Sequence, residues 1–245
     1  MKKLFDCNDS REVKEYIGTK VDVDKDNKTI RLMQPVLIQS FVDKFGVSEN
    51  SKVTTLAAPG KVLRKCPLER KMSHAQHKKY RKGVRKLMYL AHWTRPDILN
   101  VVRDLSRHAQ YPGEEHYQAM QWCMIFCINT KEVAIELKAE QEWDGGKSHK
   151  FRVEGYGDSS TNQCPDTGKS VTGATTTLEG ALVITRMHMQ STVKLSATKS
   201  ELDSTVTTAQ DMLYIKDMVE SMELEVETPM ALWSDNKGVV DIANG

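Results

Sequence analysis

Three acidic residues stand out by their surroundings. Asp158 lies in Gly155-Tyr156-Gly157-Asp158-Ser159-Ser160, Glu201 in Ser196-Ala197-Thr198-Lys199-Ser200-Glu201-Leu202, and Asp235 in Trp233-Ser234-Asp235-Asn236. Each sits where the local pattern places the end of a strand or the start of a helix. If those ends converge on one edge of a sheet, three carboxylates would hold divalent metal against a phosphate backbone. Mg²⁺ takes octahedral oxygen ligands and keeps several waters, so a few carboxylates and a scissile phosphate complete its shell. Two ions ~3.5–4 Å apart stabilise the attacking and leaving oxygens of an in-line displacement. The chemistry would be metal-dependent cleavage of a nucleic-acid strand.

Each acid also admits an ordinary role. Asp158 would open a polar turn with Ser159 and Ser160. Glu201 would close a capping box over Thr198-Lys199-Ser200-Glu201. Asp235 would cap a helix or sit in its first turn, where the helix dipole favours an acid.

The elements that must position these residues are legible in outline. Residues 15 to 33 read as a hairpin about the polar turn Asp24-Lys25-Asp26-Asn27-Lys28, and a helix follows from about Val36 to Phe45, ended by Gly46. Residues 47 to 73 show no period and read as a connector. Three helices are expected next. The first spans roughly 74 to 92, with Tyr80, Val84, Leu87 and Ala91 on one face. The second opens at Thr94-Arg95-Pro96-Asp97, with Thr94 as its N-cap. The third runs from Glu114 to about Thr130, and Glu142 to Ser148 reads as a linker or wide turn. Beyond residue 150 the period changes to alternation. Strands are expected into Gly155-Tyr156, over Ser170–Leu178 and over Ala181–Met189, most simply as an antiparallel meander. A long helix from near Lys199, a short strand Met230–Trp233 and a helix opening at Asp235 or Asn236 complete the order β-β-β-α-β-α. The fold class is α+β or α/β, with a sheet that mixes antiparallel and parallel pairs.

Composition sets the outer bounds. Hydrophobic residues make up 39% and charged residues 28% of 245, enough to bury a core. No apolar run approaches the ~20 residues of a membrane span, and Met1-Lys2-Lys3-Leu4-Phe5-Asp6-Cys7 turns polar too soon for a secretory signal. Five irregularly spaced Cys argue for a reducing, intracellular compartment, cytoplasmic or nuclear. Cys123 and Cys127 read as small core residues. The net charge of +2 hides an uneven spread: from Lys61 to Arg107, fourteen Lys and Arg, Arg70 and Lys71 among them, face three acids. Lys78, Lys79, Arg81, Lys82, Arg85, Lys86 and Arg95 are the candidates for gripping phosphates, in contacts that carry affinity and little sequence information. A solvated helix surface is the plain reading of the same charges. Trp93 and Trp122 suit base stacking or a core, and His92, His108 and His116 show no ligand spacing.

Taken together, these motifs resemble the C-terminal part of Pol from copia-type retrotransposons, in which reverse transcriptase precedes ribonuclease H. The likeness covers nearly the whole chain. Tyr16-Ile17-Gly18 through Gln34, then Phe41 to Gly46, resembles the end of the polymerase palm and the start of its thumb. Tyr80 to Ala91 followed by Thr94-Arg95-Pro96-Asp97-Ile98 is similar to a long and specific helix-pair signature, continued by Leu105-Ser106-Arg107 and His116-Tyr117-Gln118-Ala119. Gly155-Tyr156-Gly157-Asp158, Thr167 to Gly173, Leu195 to Glu201 and Ser234-Asp235-Asn236-Lys237 resemble successive catalytic segments of the ribonuclease H part.

The resemblance implies a division into residues 1–60 as palm end and thumb start, 61–141 as basic thumb and connection helices, and 150–245 as an incomplete ribonuclease H-like domain. It implies Asp158, Glu201 and Asp235 as catalytic, metal-binding carboxylates for Mg²⁺ or Mn²⁺. The implied reaction is cleavage of RNA in an RNA–DNA hybrid, with the hybrid or another duplex, and other Pol segments, as partners, and no membrane. The family's paired-aspartate polymerase site and its fourth metal-binding acid have no counterpart in the sequence, so activity is expected to be weak or absent. Ser159-Ser160-Thr161 replaces a further acid and an aromatic, and Lys199 replaces a common acid. The alternative is a non-catalytic nucleic-acid-binding remnant or a captured interaction module.

Overall fold

The computed structural model describes residues 13–67, 69, 72–146 and 148–245. Arg70, Lys71, Lys147 and the chain start through residue 12 lie outside the described residues. The protein is a mixed α and β structure built around two cores.

The first core is helical. Strands β1 (Glu15–Tyr16), β2 (Thr19–Asp24) and β3 (Thr29–Met33) form the expected hairpin, and α1 (Pro35–Phe45) follows and ends at Gly46. Helix α2 (His74–Trp93) opens on a capping box. Ser73 Oγ accepts from the Gln76 N–H at 3.3 Å, and Gln76 Oε1 accepts from the Ser73 N–H at 3.2 Å. A 3₁₀ turn (Pro96–Ile98) leads into α3 (Leu99–Arg107), and α4 (Glu114–Asn129) completes the layer. Phe41, Phe45, Tyr80, Leu87, Leu90, Leu105 and Met120 meet between these helices, and Cys123 and Cys127 are buried with them.

Thr94 departs from expectation. It ends α2, donating its N–H to Leu90 O, and its Oγ1 donates to Gln34 Oε1 at 3.1 Å. With the hydroxyl drawn to Gln34, the next helix starts without a side-chain cap. Strand β4 (Ile135–Leu137), not anticipated, adds to β3 and widens the hairpin sheet to β1-β2-β3-β4.

The second core is a sheet with one long helix. After β5 (Lys150–Phe151), strands β6 (Val153–Ser160), β7 (Val171–Leu178) and β8 (Ala181–Met189) form the expected antiparallel meander. Helix α5 (Ala197–Ser221) lies across β6 and β7. The chain returns through β9 (Glu225–Val226), which pairs with β5, and β10 (Ala231–Trp233), which pairs parallel with β6, then ends in α6 (Lys237–Asn244). The sheet order is β10-β6-β7-β8, mixing parallel and antiparallel pairs. Val153, Met212, Ile215, Val219 and Val226 form its small apolar core.

Contacts cross between the two cores. Met187 of β8 packs against the helical core. Arg107 of α3 donates to Cys164 Sγ at 2.6 Å and pairs with Asp166 at 3.5 Å, both in the β6–β7 loop. Trp143, in the stretch expected to be a linker, donates to Gly146 O and sets its ring against Phe151 at 5.3 Å.

Candidate metal centre

Backbone pattern carries Asp158 to its place. Along β6, Val153, Gly155, Gly157 and Ser159 face inward, while Tyr156 and Asp158 face out. The two inward glycines matter because α5 lies on them. A Cβ at Gly157 would meet Thr208 Oγ1 at 2.8 Å and Ser204 O at 3.3 Å, and one at Gly155 would meet Met212 Sδ at 2.4 Å. Glycine in a strand often marks such close backbone approach. The close seat brings the start of α5, and Glu201 with it, to the end of β6.

Glu201 is 6% exposed. Its Oε1 accepts the backbone N–H of Ser159 at 3.3 Å. Asp235 arrives from the other side, two residues beyond Trp233, which is in register with Tyr156 of β6. One ligand oxygen from each of Asp158, Glu201 and Asp235 lies within 4.8 Å of the others, with Asp158 and Asp235 exposed and Glu201 buried. Burial, and behind it the charges of Asp158 and Asp235, raise the Glu201 carboxyl above its ordinary value, against the Ser159 hydrogen bond that lowers it. Asp158 and Asp235 line an open cleft of ≈ 740 Å³ between the sheet and the Pro96–Leu99 turn.

The ordinary roles open to these acids are filled by other residues. Asp158 is within a strand that runs to Ser160, so it opens no turn. Ser196 caps α5, accepting from the Lys199 N–H at 3.3 Å, which leaves Glu201 in the second turn and outside any capping box. Asn236 caps α6, accepting from the Val239 N–H at 3.1 Å, so Asp235 stands before the cap. Three crowded oxygen donors with no sulfur or imidazole among them fit a hard divalent cation such as Mg²⁺ or Mn²⁺.

The basic residues divide. Lys78, Arg81, Lys82 and Arg85 are exposed on one face of α2, opposite its buried stripe, and have no ion-pair partner among the described residues. They line a groove of ≈ 910 Å³ with His74, His77, Lys86 and Tyr89. Lys79 stands over the Tyr117 ring at 5.9 Å. Lys86 donates to Ser40 Oγ at 2.8 Å, and partial burial, followed by Lys44 and Lys82, lowers its pKa. Arg95 does not belong with them. It is 1% exposed, chelated by Asp97 at 2.7 and 2.9 Å, and donates to Thr130 O and Oγ1. A guanidinium so enclosed cannot reach a phosphate.

Trp93 is partly exposed in a cluster with Tyr16 and Tyr89, and Trp122 donates to Thr55 O at 2.9 Å. His108 stacks on His116 at 4.0 Å within the helical layer, away from any metal cluster among the described residues.

Comparison with known proteins bears on this arrangement. The chain is 26% identical over 247 residues to the retrovirus-related Pol polyprotein from transposon TNT 1-94 of Nicotiana tabacum, covering 99% of this chain and 18% of that protein. It is 25% identical over 238 residues to the retrovirus-related Pol polyprotein from transposon RE1 of Arabidopsis thaliana, covering 97% of this chain and 15% of that one. The chain is a relative of transposon Pol polyproteins. This Pol-related chain spans less than a fifth of the length of those two relatives. It is also 26% identical over 136 residues to secreted RxLR effector protein 161 of Plasmopara viticola, covering 56% of this chain and 90% of that protein. No family model and no solved structure matches it.

Sequence reasoning named the three acids and missed what holds them. The Ser159 N–H and the Gly155/Gly157 seat were absent from it, although two glycines on one face of a strand beside an acid signal close approach. Gln190, which bonds to Ser200 beside Glu201, carried no sequence signal.

Proposed function

We propose that this chain is a retrotransposon-derived Pol segment with a ribonuclease H-like site that cleaves RNA in an RNA–DNA hybrid. The observation that carries the reading is the meeting of Asp158, Glu201 and Asp235 within 4.8 Å, in a chain similar to transposon Pol polyproteins over nearly its whole length. The mixed sheet, with α5 on one face and a parallel return strand, supports the same reading.

Asp158, Glu201 and Asp235 would hold Mg²⁺ or Mn²⁺, which when bound supplies Lewis-acid stabilisation of phosphate charge. Glu201, fixed by Ser159, gives the site a rigid inner wall. Asp158 and Asp235 face the open cleft and meet the incoming strand. Burial, with the charges of Asp158 and Asp235 behind it, holds the Glu201 carboxyl above its ordinary value, so a cation and a proton compete for its oxygens.

A second reading rests on a different observation. Lys78, Arg81, Lys82 and Arg85 form a cationic face on α2 with no ion-pair partner among the described residues, suited to a duplex backbone whether or not cleavage occurs.

One experiment separates them: incubation of a labelled RNA–DNA hybrid with purified protein in Mg²⁺, then Mn²⁺, beside Asp158→Asn. Cleavage by the parent and none by the variant supports the nuclease. Binding by folded protein without cleavage in either metal leaves the binding module.

A further inference from the structure

We propose that Gln190 is a positioning residue for the carboxylate cluster, setting Glu201 through the first turn of α5. The proposal rests on the metal-site reading above. Gln190 follows the last residue of β8 and is 3% exposed. A buried primary amide is costly unless its donors and acceptor are satisfied. Here they are: Nε2 donates to Thr172 Oγ1 at 3.1 Å and to Ser200 O at 2.9 Å, and Oε1 accepts from Ser200 Oγ at 3.3 Å. Its backbone N–H donates to Ser170 O at 2.9 Å.

One side chain therefore ties β7, the end of β8 and the start of α5 together, and its anchor on the helix is the residue before Glu201. The surroundings explain why a tie is needed there. The apolar core of this half, around Met212, Ile215 and Val219, grips the later turns of α5. Near Glu201 the buried residues are Ser200, Ser204, Thr172 and Ser159, which offer little apolar grip. Without the amide, the helix start is left to the Ser159 N–H and the glycine seat, and a ligand set tolerates only about 0.5 Å of drift. Partners behind a metal's ligands typically carry 10–100-fold in affinity.

The test is Mn²⁺ binding to the full chain, followed by titration calorimetry and by the electron paramagnetic resonance of free Mn²⁺. Gln190→Met keeps the volume and removes all three side-chain bonds. Val219→Ala serves as the control, weakening the far end of α5, and Asp158→Asn defines binding at the cluster. The expected result is a roughly 10-fold loss of Mn²⁺ affinity in Gln190→Met and parent affinity in Val219→Ala, at matched losses of thermal stability. Parent affinity in Gln190→Met, or equal weakening in Val219→Ala, overturns the proposal. No Asp158-dependent Mn²⁺ binding by the parent removes the metal-site reading itself, and the proposal with it. Should Gln190→Met fail to fold, Ser200→Ala, which deletes the Oγ bond alone, decides on the same comparison, with a smaller loss expected and parent affinity counting against the proposal.

Discussion

The backbone N–H of Ser159 donates to Oε1 of Glu201 at 3.3 Å, so the strand that carries Asp158 also aims the acid on the helix. The bond exists because α5 lies unusually close to β6, and Gly157 permits that approach. Gly157→Ala would press Cβ to 2.8 Å from Thr208 Oγ1 and 3.3 Å from the Ser204 carbonyl. Overpacking of this kind costs about 1–3 kcal/mol. Gly157→Val should lose Mn²⁺ binding altogether, because the backbone of α5 must move. Urea unfolding and Mn²⁺ titration of the two variants would show the graded effect.

Metal should stabilise the parent. At a hundredfold excess over its dissociation constant, a ligand specific for the folded state contributes about 2.7 kcal/mol. The melting temperature should therefore rise in Mn²⁺ and fall back in EDTA. Glu201→Gln removes a buried acid held near two others, so its melting temperature in EDTA should exceed the parent's, with no response to Mn²⁺. A lower melting temperature in EDTA would show that Glu201 is not electrostatically crowded.

The helical layer should be acid-sensitive through His108. Burial first, then His116 and Arg107, depress its pKa to about 4. The unfolded chain binds this proton below an ordinary histidine value of about 6.5, so stability is full above that pH and is lost as pH falls toward 4. The loss approaches about 3 kcal/mol. Urea midpoints at several pH values should show a flatter slope over this window in His108→Gln.

Nucleic-acid binding should depend on one face of α2. Replacing Lys78, Arg81, Lys82 and Arg85 by Ala should weaken duplex binding uniformly across sequences. It should also reduce the slope of log K against log salt by about 3–4, at roughly 0.9 per phosphate contact. Anisotropy titrations at several salt concentrations give the slope, and an unchanged slope would remove α2 from the interface.

Arg95→Ala belongs to a different class. The guanidinium is enclosed by Asp97, Thr130 and the Phe126 ring. Its removal should cost about 3 kcal/mol of stability, with the salt slope of binding unchanged.

Much of the scaffold was legible because its signals are local. Tyr80, Val84, Leu87 and Ala91 announce α2 by spacing alone, and alternation broken at Glu179-Gly180 announces the β7–β8 hairpin. The errors share a cause in distance. Thr94 looked like a cap because nothing near it reveals Gln34, sixty residues earlier, as its partner. Arg95 looked like a surface cation because Thr130 lies thirty-five residues later. Strand β4 is three residues long, too short to show a period, and exists only because β3 has an open edge. The acids themselves were visible, but their closeness depends on how far α5 sinks onto Gly155 and Gly157, which is a packing outcome.

Arg107 holds the β6–β7 loop from the helical side, through Cys164 and Asp166, while Met187 packs against the helical core. The two cores therefore touch across the change of period near residue 150. Excising the later segment would strip a loop of its guanidinium and uncover a methionine, and cutting the chain there would leave two pieces still gripping one another. Heat or urea should melt the protein in one cooperative step, so that the cationic helix and the carboxylates are gained and lost together.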